Sequence, residues 1–444
     1  MNASTPLLTR AAVLRQAWPV ILANAAVPLP GLVDTAVIGR YGDATGLGGL
    51  ALGALLFNFL YWSLGFLRMG TTGFVAQAAG AGDGQEVRAA FARAVLLAVA
   101  LGGLLFALQG PLRTLYLALM GGSDAVQAAT AGYFHARIWG APAALAVFAC
   151  NGLLVGLGRS RELLAVQLLL NGLNAALDVW FAGMLGLGVR GIGLGTALAE
   201  WTTCCVALLV AWRILRGHHR DAEPFLSWPR IVDPARLHAT LAANGDILLR
   251  TLCLLGGFAW FTHAGAGFGD VILAANHILL QLVSFSAFFL DGFAFVAEAH
   301  AGAAWGARSR ERFRHAVRLT SEPAAVTALL LALSVLLLGR PVVETLTTLP
   351  AVRGAALLHL PWAALYVLVS VAAFQLDGIF IGTTRTREMR NASAASLAVF
   401  LLAAWPLAAA WGNHGLWLAF VLYVIARAAT LWPYFRRMEP GPAA

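Results

Sequence analysis

Apolar residues run along this chain in long blocks separated by short polar loops. A helix needs about 20 apolar residues to cross the hydrocarbon of a bilayer. Twelve blocks reach that scale: 14–39, 47–79, 89–109, 129–157, 162–186, 190–215, 238–263, 270–301, 316–338, 352–383, 392–410 and 413–435. Several exceed the minimum, which predicts tilt, kinks or extension beyond the membrane. The expected fold is an all-α polytopic membrane protein with twelve transmembrane helices.

The longest polar stretch, RGHHRDAEPFLSWPR at 216–230, divides the pattern into halves. The expected organisation is an N-terminal lobe over 1–215, a cytoplasmic linker over 216–237 and a C-terminal lobe over 238–444. An internal repeat supports the division. NGLLVGLGRSRE (151–162) and DGIFIGTTRTRE (377–388) both fit [ND]-G-x-x-x-G-x-x-R-x-R-E and close spans 4 and 10. FLRMGTTGFVAQAAG (66–80) is echoed by FLDGFAFVAEAHAG (289–302), ending spans 2 and 8. Each half has an even number of spans, so both enter the membrane in the same sense. That predicts two six-helix lobes around a central cleft, related by a pseudo-two-fold axis along the membrane normal, an arrangement known among transporters. The repeated R-x-R-E reads as a structural turn.

Polar positions inside the blocks carry the chemistry, because a charge at membrane depth is costly and marks function by default. Span 1, WPVILANAAVPLPGLVDTAVIG over 18–39, holds Asp34, with Pro28 and Pro30 about a turn before it. A proline deletes a helical hydrogen bond and clashes with the carbonyl four residues back, here Asn24 and Ala26. Helix 1 is therefore expected to kink at Pro28 and Pro30, beside a group that can bind a proton or a cation. In span 5, Gln167, Asn171, Asn174 and Asp178 fall at steps of four, three and four, one helix face. Span 6 adds Thr196 and Glu200. Carboxylates and oxygen ligands suit a proton or a hard cation such as Na⁺. For Gln167 and Asn171 simple helix–helix hydrogen bonding is an equal alternative, and Glu200 could instead partner Arg190 or the Trp201 region. In span 8, His277, Gln281, Ser284, Asp291 and Glu298 share a face, with His277 readable as a proton relay or a satisfied interior histidine. Span 10 carries Asp377. Arg250 in span 7 and Arg68 in span 2 are candidate partners for these acids.

Composition fits this picture. The 444 residues are 60% hydrophobic and 11% charged, against about 25% charged in soluble proteins. All 30 basic residues are arginine. They concentrate in alternate loops, at Arg10 and Arg15, Arg88 and Arg93, Arg159 and Arg161, Arg213 to Arg236, Arg308 to Arg318, Arg385 to Arg390, and Arg436 and Arg437. The positive-inside rule then puts both termini in the cytoplasm, in the inner (plasma) membrane, with anionic lipid rather than nucleic acid as the arginines' partner. The cysteines Cys150, Cys204, Cys205 and Cys253 show no metal or disulfide spacing. No removable signal peptide is expected ahead of span 1. No H-E-x-x-H, G-x-S-x-G or Walker A motif occurs, and a chain without lysine excludes the last. An enzyme is not expected. No cofactor is implied, and the energy source is an ion gradient.

PLPGLVDTAVIGRYG (28–42), FLRMGTTGFVAQAAG (66–80), LDGFAFVAEAHAG (290–302) and LDGIFIGTTRTREMRN (376–391) resemble the DinF branch of the multidrug and toxic compound extrusion (MATE) transporters. The resemblance covers nearly the whole chain. It implies a monomeric antiporter exporting small organic compounds against inward H⁺ or Na⁺ movement. It also implies a cation site of Asp34, Asn174, Asp178 and Thr196, with no metal beyond Na⁺. In another branch, acids in helices 7 and 10 couple, and Asp377 looks similar to the second of these. Span 7 has Arg250 mid-segment and no acid there. That departure favours coupling in the first lobe over the second-lobe candidates Asp377, Asp291, Glu298, His277 and Arg250. A flippase for a lipid-linked precursor is the alternative, and it would want an arginine-lined cleft.

Overall fold

Eleven helices in the computed structural model, which describes residues 8–217 and 224–440, are long and apolar enough to cross a membrane. They are Arg10–Tyr41, Ala44–Gly80, Gly84–Ala107, Asp124–Gly156, Ser160–Met184, Gly188–Gly217, Pro234–Ala266, Asp270–Gly306, Arg310–Leu346, Pro350–Gly382 and Thr386–Arg436. The last holds two crossings, because Gly412 (φ 57°) breaks it between 386–411 and 413–436. All twelve expected spans are therefore present, and the numbering 1–12 is kept for them. Their outer faces carry large apolar side chains such as Leu337, Leu402 and Trp405, each more than three-quarters exposed. Surfaces of that kind suit contact with lipid.

Two helices fall outside the expected set, Gln109–Met120 and Trp228–Ile231. The first continues the apolar run of span 3 after Leu108 and so reads in the sequence as its tail. The second belongs to the expected linker, of which residues 218–223 lie outside the described residues. The described part is bound to the start of span 3. Arg230 pairs with Asp83 at 2.7 Å, Arg236 pairs with Glu86, and the carbonyls of Phe225 and Arg230 accept from Arg88 and Arg93.

The chain divides into two compact units. The first holds Ala25–Ala79 and Asp83–Leu241; the second holds the described residues up to Asn24, Gly80–Gly82, and those from Ala242 on. In the first unit, Val37, Ile38, Leu50, Phe57, Tyr133, Phe134, Ile138 and Ile192 form a core among spans 1, 2, 4 and 6. In the second, Phe261, Tyr366, Phe400, Trp417, Phe420 and Tyr423 form an aromatic core among spans 7 and 10–12. The first half of span 1 also belongs there. Val13, Ala17 and Ile21 pack on Phe293, Val296 and Leu319. Gln16 meets His300 at 2.8 Å, and Arg10 meets Glu322 at 2.7 Å.

The sequence repeat has a physical cause in both halves. Its two glycines, four apart, let spans 4 and 10 approach the preceding even span closely, as small residues do in membrane bundles. An added Cβ would meet the Arg68 carbonyl at 2.5 Å from Gly152 and the Thr72 carbonyl at 2.9 Å from Gly156. From Gly378 it would meet the Ala294 carbonyl at 2.5 Å, and from Gly382 the Glu298 carbonyl. Each span then ends in the same left-handed turn, through Gly158 (φ 67°) and Thr384 (φ 52°). The N–H of Arg159 and of Arg385 reaches back to the carbonyls of Leu154 and Phe380, the pattern of a Schellman cap. The arginines of the R-x-R-E segment pair with its glutamates, Arg159 with Glu162 at 3.2 Å and Arg385 with Glu388 at 3.4 Å.

Span 1 departs from expectation. In place of one kinked helix there are two, Arg10–Ala25 and Leu29–Tyr41, separated by a turn. Pro28 caps the second helix and Pro30 lies in its first turn, where a missing N–H costs nothing. Two prolines two residues apart remove two rungs of the ladder within a single turn, so the helix restarts rather than bends.

Candidate functional site

The break leaves the Ala26 carbonyl without its helical donor, since that donor would be the N–H of Pro30. The Leu29 N–H turns back to it at 3.2 Å, and Asn171 adds a second donor, its Nδ2 reaching Ala26 O at 2.8 Å. Gln167 Nε2 in turn donates to Asn171 Oδ1 at 3.0 Å, fixing the amide's orientation. Two members of the span 5 face thus hold the broken segment of span 1.

One and two turns further along span 5, the same face meets the second helix of span 1. Asp34 and Asp178 are both buried, 5% and 0% exposed, and their carboxyl groups lie within hydrogen-bonding reach of each other. Neither acid has an amide or hydroxyl donor on Asp34 Oδ1 or on either Asp178 oxygen. Asn174 Nδ2 donates to Thr196 Oγ1 at 3.0 Å, and Thr196 donates to Ile192 O at 2.9 Å. That leaves Asn174 Oδ1 as a further buried oxygen without a donor. These four buried oxygens lack donors, and unsatisfied buried acceptors are costly. A proton shared between facing carboxyls, or a cation among the oxygens, satisfies them.

Backbone irregularity accompanies the site. Asp178 is the last α-helical residue of span 5; Val179–Met184 continue as a π-helix, a feature frequent at functional sites. Gly195 of span 6 makes the room for the acid, since an added Cβ would stand 2.5 Å from Asp178 Oδ1. Gly195→Ala is expected to displace that carboxyl and to cost about 1–3 kcal/mol in overpacking, read as a lower unfolding midpoint in detergent. An unchanged midpoint in a membrane-inserted Gly195→Ala protein would contradict this placement.

A second group lies in the same unit, around an arginine of span 4. Arg137 of span 4 is ringed by aromatic faces, with Cζ at 4.7 Å from the Phe57 centroid, 5.6 Å from Tyr133 and 5.7 Å from Tyr61. It donates to the Tyr133 hydroxyl. It stands where span 4 changes from α-helix to the 3₁₀ turn Ile138–Gly140, because Pro142 cannot donate to Ile138. Glu200 faces Tyr61 and the Arg137 charge rather than Arg190, while Trp201 donates to the Trp139 carbonyl at 2.9 Å. An arginine at membrane depth is itself a usable signal. Its aromatic neighbours, 76 to 80 positions upstream in span 2, cannot be paired with it from sequence.

In the second unit, Asp377 Oδ2 accepts from Nη2 of both Arg250 and Arg427, the latter at 2.6 Å. All three side chains are about nine-tenths buried. Arg250 is thus the partner of Asp377, as the sequence suggests, and Arg427 joins it from span 12, a position no sequence pattern connects with that acid. Asp246 is taken up by Arg390 at 2.7 Å and Thr386 at 3.1 Å. His277 is exposed, 3.4 Å from Gln281, while Glu298 is buried and Asp291 half-buried. The span 8 stripe is therefore not uniformly interior.

The MatE family model matches residues 19–180 and 247–407. The DNA damage-inducible protein F of Escherichia coli (strain K12) is 38% identical over 422 residues, covering 95% of this chain and 91% of that protein. A probable multidrug resistance protein NorM of Xanthomonas campestris pv. campestris is 26% identical, covering 95% and 92%. Among solved structures, the Vibrio cholerae MATE transporter VcmN in the bent form matches with a TM-score of 0.86 at 18% identity, covering 96% of each chain. An outward-facing multidrug resistance MATE family transporter of the MOP superfamily matches with 0.84 at 18% identity, over 96% and 95%. At that identity the likeness is one of fold.

Proposed function

This chain belongs to the MatE family of membrane transporters, and from that premise we propose that it is a cation-coupled antiporter exporting amphipathic, often cationic, organic compounds. The single observation that supports the coupling residues is the pair of facing acids, Asp34 and Asp178, beside the break in span 1. A charged residue kept inside a membrane helix is a proton or ion pathway by default. H⁺ is favoured over Na⁺. A proton needs only the two facing carboxyls, which lie within hydrogen-bonding reach of each other.

The proposed cycle has Asp34 and Asp178 take up protons from outside. Their neutralisation removes the attraction that holds cationic cargo and changes the pairing beside Pro28 and Pro30, and cargo leaves outward. Such a cycle works only if the two conformations differ in affinity for both cargo and proton. The arginine bias supports cytoplasmic termini in an inner-membrane protein in contact with anionic lipids, and the antiporter is proposed to act as a monomer. No cofactor enters the cycle.

A lipid-headgroup flippase is the weaker reading. Arg250 and Arg427 already share Asp377, which leaves few guanidinium donors for a pyrophosphate. The test is export of ethidium from proteoliposomes under a pH gradient and, separately, a Na⁺ gradient. The expected result is acceleration by the pH gradient alone. Acceleration by Na⁺ alone would replace the coupling ion, and indifference to both would overturn antiport.

A further inference from the structure

We propose that Arg137 is a specificity-determining residue: its fixed positive charge, offset by Glu200, sets the charge of the cargo that the first unit accepts. The inference rests on the antiport reading, because it needs cargo to bind against Asp34 and Asp178. Arg137 is built into place. Phe57, Tyr61 and Tyr133 surround the guanidinium at 4.7–5.7 Å, the geometry of cation–π contact. The Tyr133 hydroxyl accepts from it. Glycines make the cage possible: a Cβ at Gly53 would strike the Tyr133 ring, and one at Gly140 would strike Glu200 Oε2.

The charged and titratable groups that face Arg137 come from every element around it. They are Asp34 from span 1, Tyr61 from span 2, Tyr133 from its own span, Asp178 from span 5 and Glu200 from span 6. Arg137 makes no contact ion pair with any of these acids among the described residues. Its Nε, Glu200 Oε2 and the Tyr61 hydroxyl are all buried without a hydrogen-bond partner. The guanidinium is therefore not consumed by one carboxylate. It acts on all three through space, where the low dielectric of a membrane interior keeps charge interactions strong at several ångströms.

Charge balance gives the direction. With one proton shared between Asp34 and Asp178, the one negative charge left on that pair and the charge of Glu200 stand against one guanidinium, so Arg137 cancels Glu200 and the facing acids meet the cargo with their own charge alone. Without Arg137 the surplus of negative charge grows and a dication gains more than a monocation. Without Glu200 the surplus shrinks and the preference reverses. Removing both restores the balance. Arg137→Lys keeps the charge while losing the planar fit to the rings.

The experiment measures binding of tetraphenylphosphonium, a monocation, and decamethonium, a dication, to the purified full-length protein in detergent. The readout is the ratio of dication to monocation affinity. Arg137→Gln should raise that ratio on the order of tenfold and Glu200→Gln should lower it on the order of tenfold. The double variant and Arg137→Lys should both return it to the wild-type value. A ratio unmoved by Arg137→Gln, or not restored in the double variant, overturns the inference. If Arg137→Gln fails to fold, Glu200→Gln must still lower the ratio and Arg137→Lys must still preserve it. The antiport reading fails on a different result, wild-type export indifferent to both ion gradients, so the two failures are distinguishable.

Discussion

Asp34→Asn is expected to abolish gradient-driven export while leaving the protein folded in the membrane. Coupling between two sites is commonly worth about 5- to 150-fold in affinity, and accumulation driven by the gradient should fall by that order. The substitution isolates one property. Asparagine keeps the shape of the buried side chain, and its amide can donate to the donor-free oxygens of Asp178. It resembles a permanently neutral Asp34, so the packing of Leu29–Tyr41 has no cause to change. What is lost is the ability to alternate between charged and neutral forms. Export from proteoliposomes under an imposed pH gradient checks this, with thermal unfolding in detergent as the control for folding. Full transport by a correctly inserted Asp34→Asn protein would sink the proposed cycle.

The parts of this architecture that are legible in the sequence are those written in single-helix periodicity. The length of the apolar blocks locates all twelve spans, and the four-three-four spacing alone puts Gln167, Asn171, Asn174 and Asp178 on one face. The repeat over 151–162 and 377–388 marks the two halves, although the close helix approach of its glycines shows only in the fold. Features that depend on what lies opposite are not legible. Ala26 and Asn171 are 145 positions apart, and only the fold shows that Asn171 donates to the carbonyl whose helical donor Pro30 removes. The cage around Arg137 needs rings from span 2, and the role of Asp377 needs Arg427 from span 12. Taken one at a time, the prolines of span 1 predict a kink. Together they permit a fresh helix start, and the residues before the break pack with the second unit while those after it pack with the first.

The second large effect is expected in stability. Asp377→Asn should cost about 3–5 kcal/mol, the scale of breaking a buried ion pair from one side. One carboxylate oxygen holds two guanidinium groups, each about nine-tenths buried. An asparagine oxygen carries no charge, so two buried cations would face each other with nothing between them to offset their repulsion. The counterpart in the repeat, Asn151, has no such burden, and its Oδ1 has no hydrogen-bond partner at all. That difference explains how one position holds an acid in one half and an amide in the other. A detergent unfolding transition measures the loss. A triple replacement of Arg250, Asp377 and Arg427 by methionine and leucine of similar volume should recover most of it, since buried ionic groups replaced together by packed apolar ones are often neutral in stability. The export that survives in Asp377→Asn should keep its dependence on the pH gradient, because this acid is engaged by arginines rather than poised for a proton. An Asp377→Asn protein that is as stable as the wild type but uncoupled from the gradient would instead make Asp377 a second coupling site.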